Sequence, residues 1–194
     1  MTSLLAPLRA LFRFRRSERG SLSVEAVMIF PLLLFAYAGL FTFFDAFRTK
    51  NVNIRASYTI SDMLSRENQC VDADYMSGLN DVLALLTQSD YATILRVTVV
   101  TWDNSDEQYE LVWSAVDGGS GAQIIPLTQA SLTEVEEYIP IMAHGDQNII
   151  VETWAGFVPV MDWGLEAFYF ENLVVNRKRW APQLKWDAGN DPGC

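Results

Sequence analysis

The chain has very little of the material from which most enzymes build an active site. Its 194 residues include one histidine and two cysteines. Transition-metal sites rely on several His, Cys or carboxylate ligands, and His is the most frequent general acid or base. The sequence also lacks a P-loop, a dinucleotide fingerprint, a nucleophile elbow and a His-Glu-x-x-His motif. The composition therefore predicts a protein that is not an enzyme and that uses no cofactor and no metal.

Positive charge is scarce as well. The chain has 14 Lys and Arg residues against 24 Asp and Glu residues, which gives a formal net charge of -10. Proteins that bind the phosphate backbone need clustered Lys and Arg, so we expect no nucleic-acid partner. The one basic cluster beyond the N-terminal region is Arg177-Lys178-Arg179, which we expect to pair with acidic groups of the same domain or of neighbouring subunits.

The charge that is present is distributed unevenly around one long apolar run. Residues 1–20 hold five Arg and one Glu, a net charge of +4, and residues 45–194 hold nine basic and 22 acidic residues, a net charge of -13. Residues 26–44 read AVMIFPLLLFAYAGLFTFF and carry no charge. A helix of this length spans roughly 28 Å, close to the thickness of a bilayer's hydrocarbon core. The pattern predicts a single-pass membrane protein with its N-terminus in the cytoplasm and its C-terminal domain on the other side of the membrane.

A glycine and a glutamate mark the start of the apolar run. Glu25 lies at the predicted cytoplasmic edge of the run. A charged side chain inside a membrane costs free energy and is expected there only where it has a function, so Glu25 is a functional candidate. Gly20 stands five positions earlier, and Gly-x4-Glu between a basic leader and an apolar helix resembles the processing site of type IV prepilins. The stretch ERGSLSVEAVMIFPLLLFAYAGL is more specifically similar to the TadE/TadG group, the minor pilins or pseudopilins of the tight-adherence (Flp) pilus system. The matching positions are Arg19, Gly20, Val24, Glu25 and Pro31.

This resemblance implies a processing step, a set of partners and a function. A prepilin peptidase would cut on the cytoplasmic side between Gly20 and Ser21 and remove residues 1–20 as a leader peptide. The other implied partners are further pilins, the proteins of the Tad secretion machine and the bacterial inner membrane, with the C-terminal domain in the periplasm. The implied function is assembly of a tight-adherence pilus, which serves adhesion and surface colonisation. One position departs from the family pattern: an aromatic residue commonly follows the glutamate, and here the residue is Ala26.

Elementary electrostatics gives Glu25 a role once the chain has been cut. Cleavage would create an α-amino group at Ser21 that is largely protonated at neutral pH. Opposite charges attract far more strongly in a low-dielectric region than in water, so Glu25 of one subunit can hold the new amine of a neighbour and set the axial register. The alternative is a carboxylate that is merely solvated among the lipid headgroups. Pro31 removes a backbone hydrogen bond inside the run, which predicts a kink in the helix.

Two other interpretations of the N-terminus stay open. Ala36-Tyr37-Ala38 has the small-x-small form of a secretory signal, which would be cut after Ala38. Alternatively, the run is an uncleaved signal anchor for a periplasmic ligand- or protein-binding domain that does not polymerise. The mature N-terminus separates all three interpretations.

The N-terminal helix is predicted to continue beyond the membrane. No Gly or Pro occurs from Asp45 to Glu67, which argues against a flexible linker. Apolar residues recur there with the spacing of one helix face. They are Val52, Ala56, Ile60, Met63 and Leu64. We therefore predict a single helix over residues 21–67, of which residues 26–44 cross the membrane.

Residues 68–194 predict a periplasmic α+β domain. Amphipathic spacing indicates a short helix over residues 76–88, and a Ser-x-x-Glu capping box at Ser131 and Glu134 predicts another helix over residues 131–139. Runs of β-branched and aromatic residues predict four strands. These strands cover residues 92–102, 108–116, 148–157 and 167–175. The predicted architecture is a pilin-like antiparallel sheet with one face covered by the long helix.

Cys70 and Cys194 are the only cysteines, and both lie on the predicted periplasmic side. An even pair in an oxidising compartment predicts a disulfide that ties the C-terminus to the end of the long helix. Two free thiols are the alternative.

Overall fold

The computed structural model describes residues 21–89, 91–119, 124–160, 166–180 and 183–189 together with residue 194. The predicted leader, residues 1–20, lies outside these residues. The described chain contains helix α1 (Ser21–Arg66) and helix α2 (Ala73–Thr87). Its four strands are β1 (Ile94–Asp103), β2 (Gln108–Gly118), β3 (Gln147–Phe157) and β4 (Phe168–Arg177). A long N-terminal helix with a small four-stranded antiparallel sheet confirms the predicted α+β fold.

The chain divides into two compact units, residues 1–44 and residues 45–194. In the first unit, the large apolar side chains of α1 are exposed, from 44% for Ile29 to 79% for Leu22. Helix α1 is long enough and apolar enough to cross a membrane. A helix that is apolar on all sides needs lipid or other protein around it, so the prediction of a membrane span agrees with this part of the chain.

The second unit is built on a sheet with strand order β2-β1-β3-β4, in which all neighbours are antiparallel. Each of the four strands begins and ends within two residues of its predicted bounds. Strand β3 is central, and all of its residues are buried. Its alternate side chains face opposite sides of the sheet, so both faces of the sheet must be covered.

The second half of α1 and helix α2 cover one face of the sheet. The core on this face includes Ala56, Ile60 and Leu64, as the amphipathic pattern predicts. The prediction for Met63 is wrong, because its side chain is 40% exposed. The buried face of α1 is completed instead by four polar residues at spacings of four, which an apolar pattern cannot detect. They are Asn53, Ser57, Ser61 and Ser65.

Helix α2 begins three residues earlier than predicted because Asp72 caps it. The Asp72 carboxylate accepts a hydrogen bond of 2.7 Å from the backbone N–H of Tyr75, which satisfies one of the free donors at the helix start. The buried residues of α2 include Met76, Leu79 and Leu83, which pack in the same core as the second half of α1.

The segment 124–142 covers the opposite face. Its core residues pack on Val100 and Ile150 of the sheet. The predicted helix over residues 131–139 is wrong: the segment forms two short 3₁₀ helices, Ser131–Glu134 and Glu136–Tyr138. Ser131 pairs with Thr128 and not with Glu134, so the predicted capping box does not form. The Thr128 N–H donates to Ser131 Oγ at 2.9 Å, and the Ser131 N–H donates to Thr128 Oγ1 at 3.3 Å.

Candidate functional site

The residues predicted for processing and assembly lie at the start of α1. Gly20 is outside the described residues, and Ser21 is the first residue of the helix. Glu25 follows four residues later, one turn along the helix, and its side chain is exposed. Glu25 forms no salt bridge within the described part of the chain. Its charge is therefore available to a group from another molecule.

Pro31 lies inside α1, which is helical on both sides of it. The kink predicted at Pro31 stays a prediction. The prediction that Glu25 binds the amine of a neighbouring subunit also stays a prediction, since it concerns a second copy of the chain.

A buried set of hydrogen bonds holds the second half of α1 in register on the sheet. Ser57 Oγ and Thr153 Oγ1 are 2.6 Å apart, and Thr153 Oγ1 also donates to Asn53 Oδ1 at 3.0 Å. Asn53 Nδ2 in turn donates to the backbone carbonyl of Phe170 at 3.0 Å. Hydrogen bonds are directional, so this network allows one axial position of the helix, which apolar contacts alone would not require. Sequence analysis missed these residues because they interrupt the apolar face.

The basic cluster at the end of β4 caps the end of α1. Arg177 pairs with Asp146 at 2.6 Å and Arg179 with Asp62 at 3.5 Å, so the predicted pairing with acidic groups of the same domain is confirmed for both arginines. Lys178 differs, because it is buried and its Nζ donates to the backbone carbonyls of Leu64 and Glu67. These carbonyls belong to the last turn of α1 and its end, where backbone acceptors have no helical partner. Burial lowers the pKa of Lys178, and the nearby charge of Glu67 partly opposes this shift.

Glu67 and Tyr75 link the end of α1 to the first turn of α2. The Glu67 carboxylate accepts hydrogen bonds from the backbone N–H groups of Gln69, at 3.0 Å, and Asn68, at 2.8 Å. The bond from Gln69 is the main cause of a lowered pKa for Glu67. Burial, together with a hydrogen bond to the Glu67 carboxylate, raises the pKa of Tyr75 to about 12. The two side chains fix the direction in which the chain turns after α1.

The predicted disulfide between Cys70 and Cys194 is confirmed. The chain beside it is held by backbone pairing, because the Val71 N–H donates to the Lys185 carbonyl and the Asp187 N–H to the Val71 carbonyl, both at 2.9 Å. Leu184 is buried in the core under the helices, and Trp186 packs against Trp113 with ring centroids 5.2 Å apart. The disulfide thus anchors a C-terminal segment that already contributes to the core.

A buried ion pair on the other side of the sheet was not found from the sequence. Arg96 of β1 and Glu152 of β3 are directly opposite each other in the register. Two parallel bonds of 2.6 Å join the guanidinium to the carboxylate. The Arg96 guanidinium also lies 5.3 Å from the ring centre of Trp154. Only the strand register brings these residues together, so no local sequence signal could have identified the pair.

Two open grooves of about 350 Å³ each lie at opposite ends of β3. The first, which we call the proximal groove, is formed by the part of α1 nearest to the apolar run, the end of α2 and the end of β3. Its lining residues are Asp45, Arg48, Thr49, Val52, Leu86, Thr87, Gln88, Ser89, Gly156, Phe157 and Val158. The second, the distal groove, is lined by Pro140, Ile141, Met142, Ala143, Asp146, Asn148, Val175, Asn176 and Arg177.

Comparison with known proteins gives no match: no family model, no curated protein and no solved structure is similar to this chain. The resemblance to the TadE/TadG group therefore depends on the N-terminal residues quoted above.

Proposed function

We propose that this chain is a minor pilin or pseudopilin that a prepilin peptidase cuts between Gly20 and Ser21, and that it takes part in assembly of a tight-adherence (Flp) pilus. In this proposal the exposed apolar part of α1 first lies in the inner membrane and then packs against the same part of other pilins. The second unit lies in the periplasm, and the Tad secretion machine is the partner that drives assembly.

The observation that carries the proposal is the organisation of α1. Among the described residues it is one continuous helix that includes the whole apolar run and reaches Arg66. Its first part exposes apolar side chains on all sides, whereas its second part is fixed on the sheet by a buried polar network and a capped end. An anchor that only tethers a domain has no need of a helix that is also a structural element of that domain.

The proposal is tested first by the mature N-terminus. We expect intact-mass measurement or N-terminal sequencing of protein from the native membrane to find Ser21 as the first residue. Gly20→Arg should block cleavage and leave the leader in place. A chain that begins at Gly39 would support the secretory-signal interpretation instead, and a parent chain that keeps the leader would support the uncleaved anchor.

The second test separates assembly from folding. Glu25→Ala removes one charge from the membrane segment, so insertion, cleavage and formation of the Cys70–Cys194 disulfide should be normal. The variant should nevertheless fail to crosslink to other pilins and should reduce the number of surface fibres, because the intersubunit charge pair is lost. Glu25→Asp, which keeps the charge on a shorter side chain, should give an intermediate defect.

Glu18→Ala is the matched control, since it removes a carboxylate from the leader that cleavage discards. It should assemble like the parent. If Glu25→Ala also assembles and produces fibres like the parent, then the carboxylate has no role in assembly. A signal-anchored periplasmic domain that binds a ligand or protein in one of the two grooves would then be the better proposal.

A further inference from the structure

The end of the second unit that carries the proximal groove also carries a group of exposed apolar side chains. We call this group the rim patch, and each member is at least 39% exposed. Its members are Phe47, Leu86, Tyr91, Val158, Val160 and Phe168. Isolated exposed apolar residues need no explanation, but a cluster at one end of a domain marks an interaction surface.

Contacts within the second unit place four of the six members in one region. Leu86 and Val158 line the proximal groove itself. Phe47 lies on the turn of α1 that contributes Asp45 and Arg48 to the groove, and Val160 follows Val158 by two positions. Tyr91 packs on Gly156, where an added methyl group would clash with the Tyr91 Cβ. Phe168 contacts Phe157, with 5.6 Å between their ring centroids.

The chain itself limits how far Phe47 is from the apolar run. Phe47 follows Phe44, the last residue of the run, by three positions. Three residues span at most about 11 Å even when fully extended. The part of α1 that lines the groove is thus next in the chain to the residues that enter the membrane.

Along α1, the charge beside the apolar run is opposite to that of the rest of the chain. Residues 45–55 carry three basic residues and one acidic residue, whereas residues 56–194 carry six basic and 21 acidic residues. Arg48, Lys50 and Arg55 are exposed and form no salt bridge among the described residues. At the other end of β3, by contrast, Arg177 and Arg179 are paired with Asp146 and Asp62, and Lys178 is buried.

From these observations we infer that the rim patch and the basic residues beside it dock the second unit onto the surface of the bilayer in which the chain is anchored. Aromatic and aliphatic side chains are suited to the membrane interface, and Lys and Arg beside them bind anionic headgroups. The inference rests on the membrane-spanning segment of α1 and does not depend on the pilus proposal.

The docking is tested with the full chain reconstituted in vesicles of phosphatidylethanolamine and phosphatidylglycerol. A nitroxide is attached to a cysteine introduced by Val160→Cys, and in a second sample by Ile141→Cys, with the native disulfide intact. Ile141 is the matched control, because it is 80% exposed and lies beside the opposite end of β3. We expect the label at residue 160 to be reached by oxygen and shielded from a water-soluble nickel chelate, and the label at residue 141 to show the reverse.

The charge contribution is tested in the same samples. Lys50→Gln should lower the ratio of docked to undocked domain about fivefold, and replacement of phosphatidylglycerol by phosphatidylcholine should have a similar or larger effect. Lys185→Gln, an exposed lysine in the C-terminal segment, should change nothing. Each variant is used only if it forms the Cys70–Cys194 disulfide.

Two results would overturn the inference. The first is equal access of the nickel chelate to both labels in every lipid mixture, which means that the domain stays clear of the bilayer. The second is shielding of residue 160 that increases with the protein-to-lipid ratio and is accompanied by spin–spin broadening, because the patch is then covered by a second copy of the chain.

Discussion

At the scale of single residues, the Arg96–Glu152 pair shows how a buried charge selects one arrangement of the strands. Glu152 is 1% exposed, and both of its oxygens accept bonds from Arg96. If β1 shifted against β3, both charges would be buried without partners. The free energy of unfolding would then fall by far more than the pair itself contributes to it. The pair is therefore better understood as a constraint on strand register than as a source of stability.

This interpretation predicts unequal effects of single and double substitutions. Glu152→Leu should lower the free energy of unfolding by about 3–5 kcal/mol, because it leaves the Arg96 charge buried and unpaired. The double variant Arg96→Met with Glu152→Leu should be much closer to the parent. Urea unfolding of the full chain in detergent, followed by circular dichroism, measures both values.

A surface pair provides the control for this prediction. Asp62→Asn removes the carboxylate that pairs with Arg66 and Arg179, and because both pairs are largely exposed the change should cost less than about 1 kcal/mol. If Glu152→Leu costs no more than Asp62→Asn, the idea that Arg96 is left as an unpaired buried charge is wrong.

At the scale of secondary-structure elements, α1 is held at its end by three groups from two other parts of the chain. Lys178 from the end of β4 caps its carbonyls, Tyr75 from α2 binds Glu67, and the Arg179 N–H donates to the Ser65 carbonyl at 3.0 Å. A free helix end would fray, because its last four carbonyls have no partner within the helix. These contacts make the last turn of α1 part of the domain.

The contact between α1 and α2 predicts a specific titration. Glu67→Gln removes the charge that helps to raise the pKa of Tyr75 to about 12, so this pKa should fall towards 10 but stay above it, because burial is the larger cause. The folded pKa of Tyr75 lies above its unfolded value. The stability that it contributes is therefore complete below pH 10 and is lost as the pH rises through about 12. The variant should lose less stability over this range than the parent.

The measurement is a pH titration of the chain with ¹³C-labelled tyrosine rings, in which Tyr75→Phe assigns the signal. Tyr109 is an internal control. Its pKa is also raised, by burial and then by the charge of Glu136, so Glu67→Gln should leave it unchanged. An unchanged titration of Tyr75 in this variant would show that Glu67 does not bind the phenol.

At the scale of the second unit as a whole, the Cys70–Cys194 disulfide joins the chain after α1 to its C-terminal residue. The two cysteines are 124 residues apart, so the bond closes a loop that contains the entire sheet. Chain-entropy estimates assign about 4–5 kcal/mol to the closure of so long a loop. The bond also keeps Leu184 and Trp186 close to the core that they complete.

Reduction of the disulfide should therefore lower the free energy of unfolding by up to about 4–5 kcal/mol. Non-reducing peptide mapping should first find Cys70 linked to Cys194, and urea unfolding with and without reductant then gives the difference. The double variant Cys70→Ser with Cys194→Ser should match the reduced parent and should not respond to reductant. Quantitative alkylation of both cysteines in the absence of reductant would contradict the prediction.

Local patterns in the chain were enough to predict most of the architecture. Runs of β-branched and aromatic residues located the four described strands, the absence of Gly and Pro after Asp45 indicated a continuous helix, and the uncharged run indicated a membrane span. A chain with two cysteines also allows only one intramolecular pairing. The helix, the strands and the membrane span each depend on residues that are close in sequence, and backbone geometry converts such local patterns directly into helices and strands. The disulfide could be predicted because two cysteines leave one possible pair.

Contacts between residues distant in sequence could not be predicted in this way. The bond between Ser57 and Thr153, the cap that Lys178 places on α1 and the pairing of Arg96 with Glu152 each depend on strand register and on how α1 is rotated against the sheet. The same rotation exposes Met63 and buries Ser61. Apolar patterning specifies a helix face only to within about one residue. Directional polar contacts between α1 and the sheet select one rotation of the helix, and these contacts form only after the chain has folded.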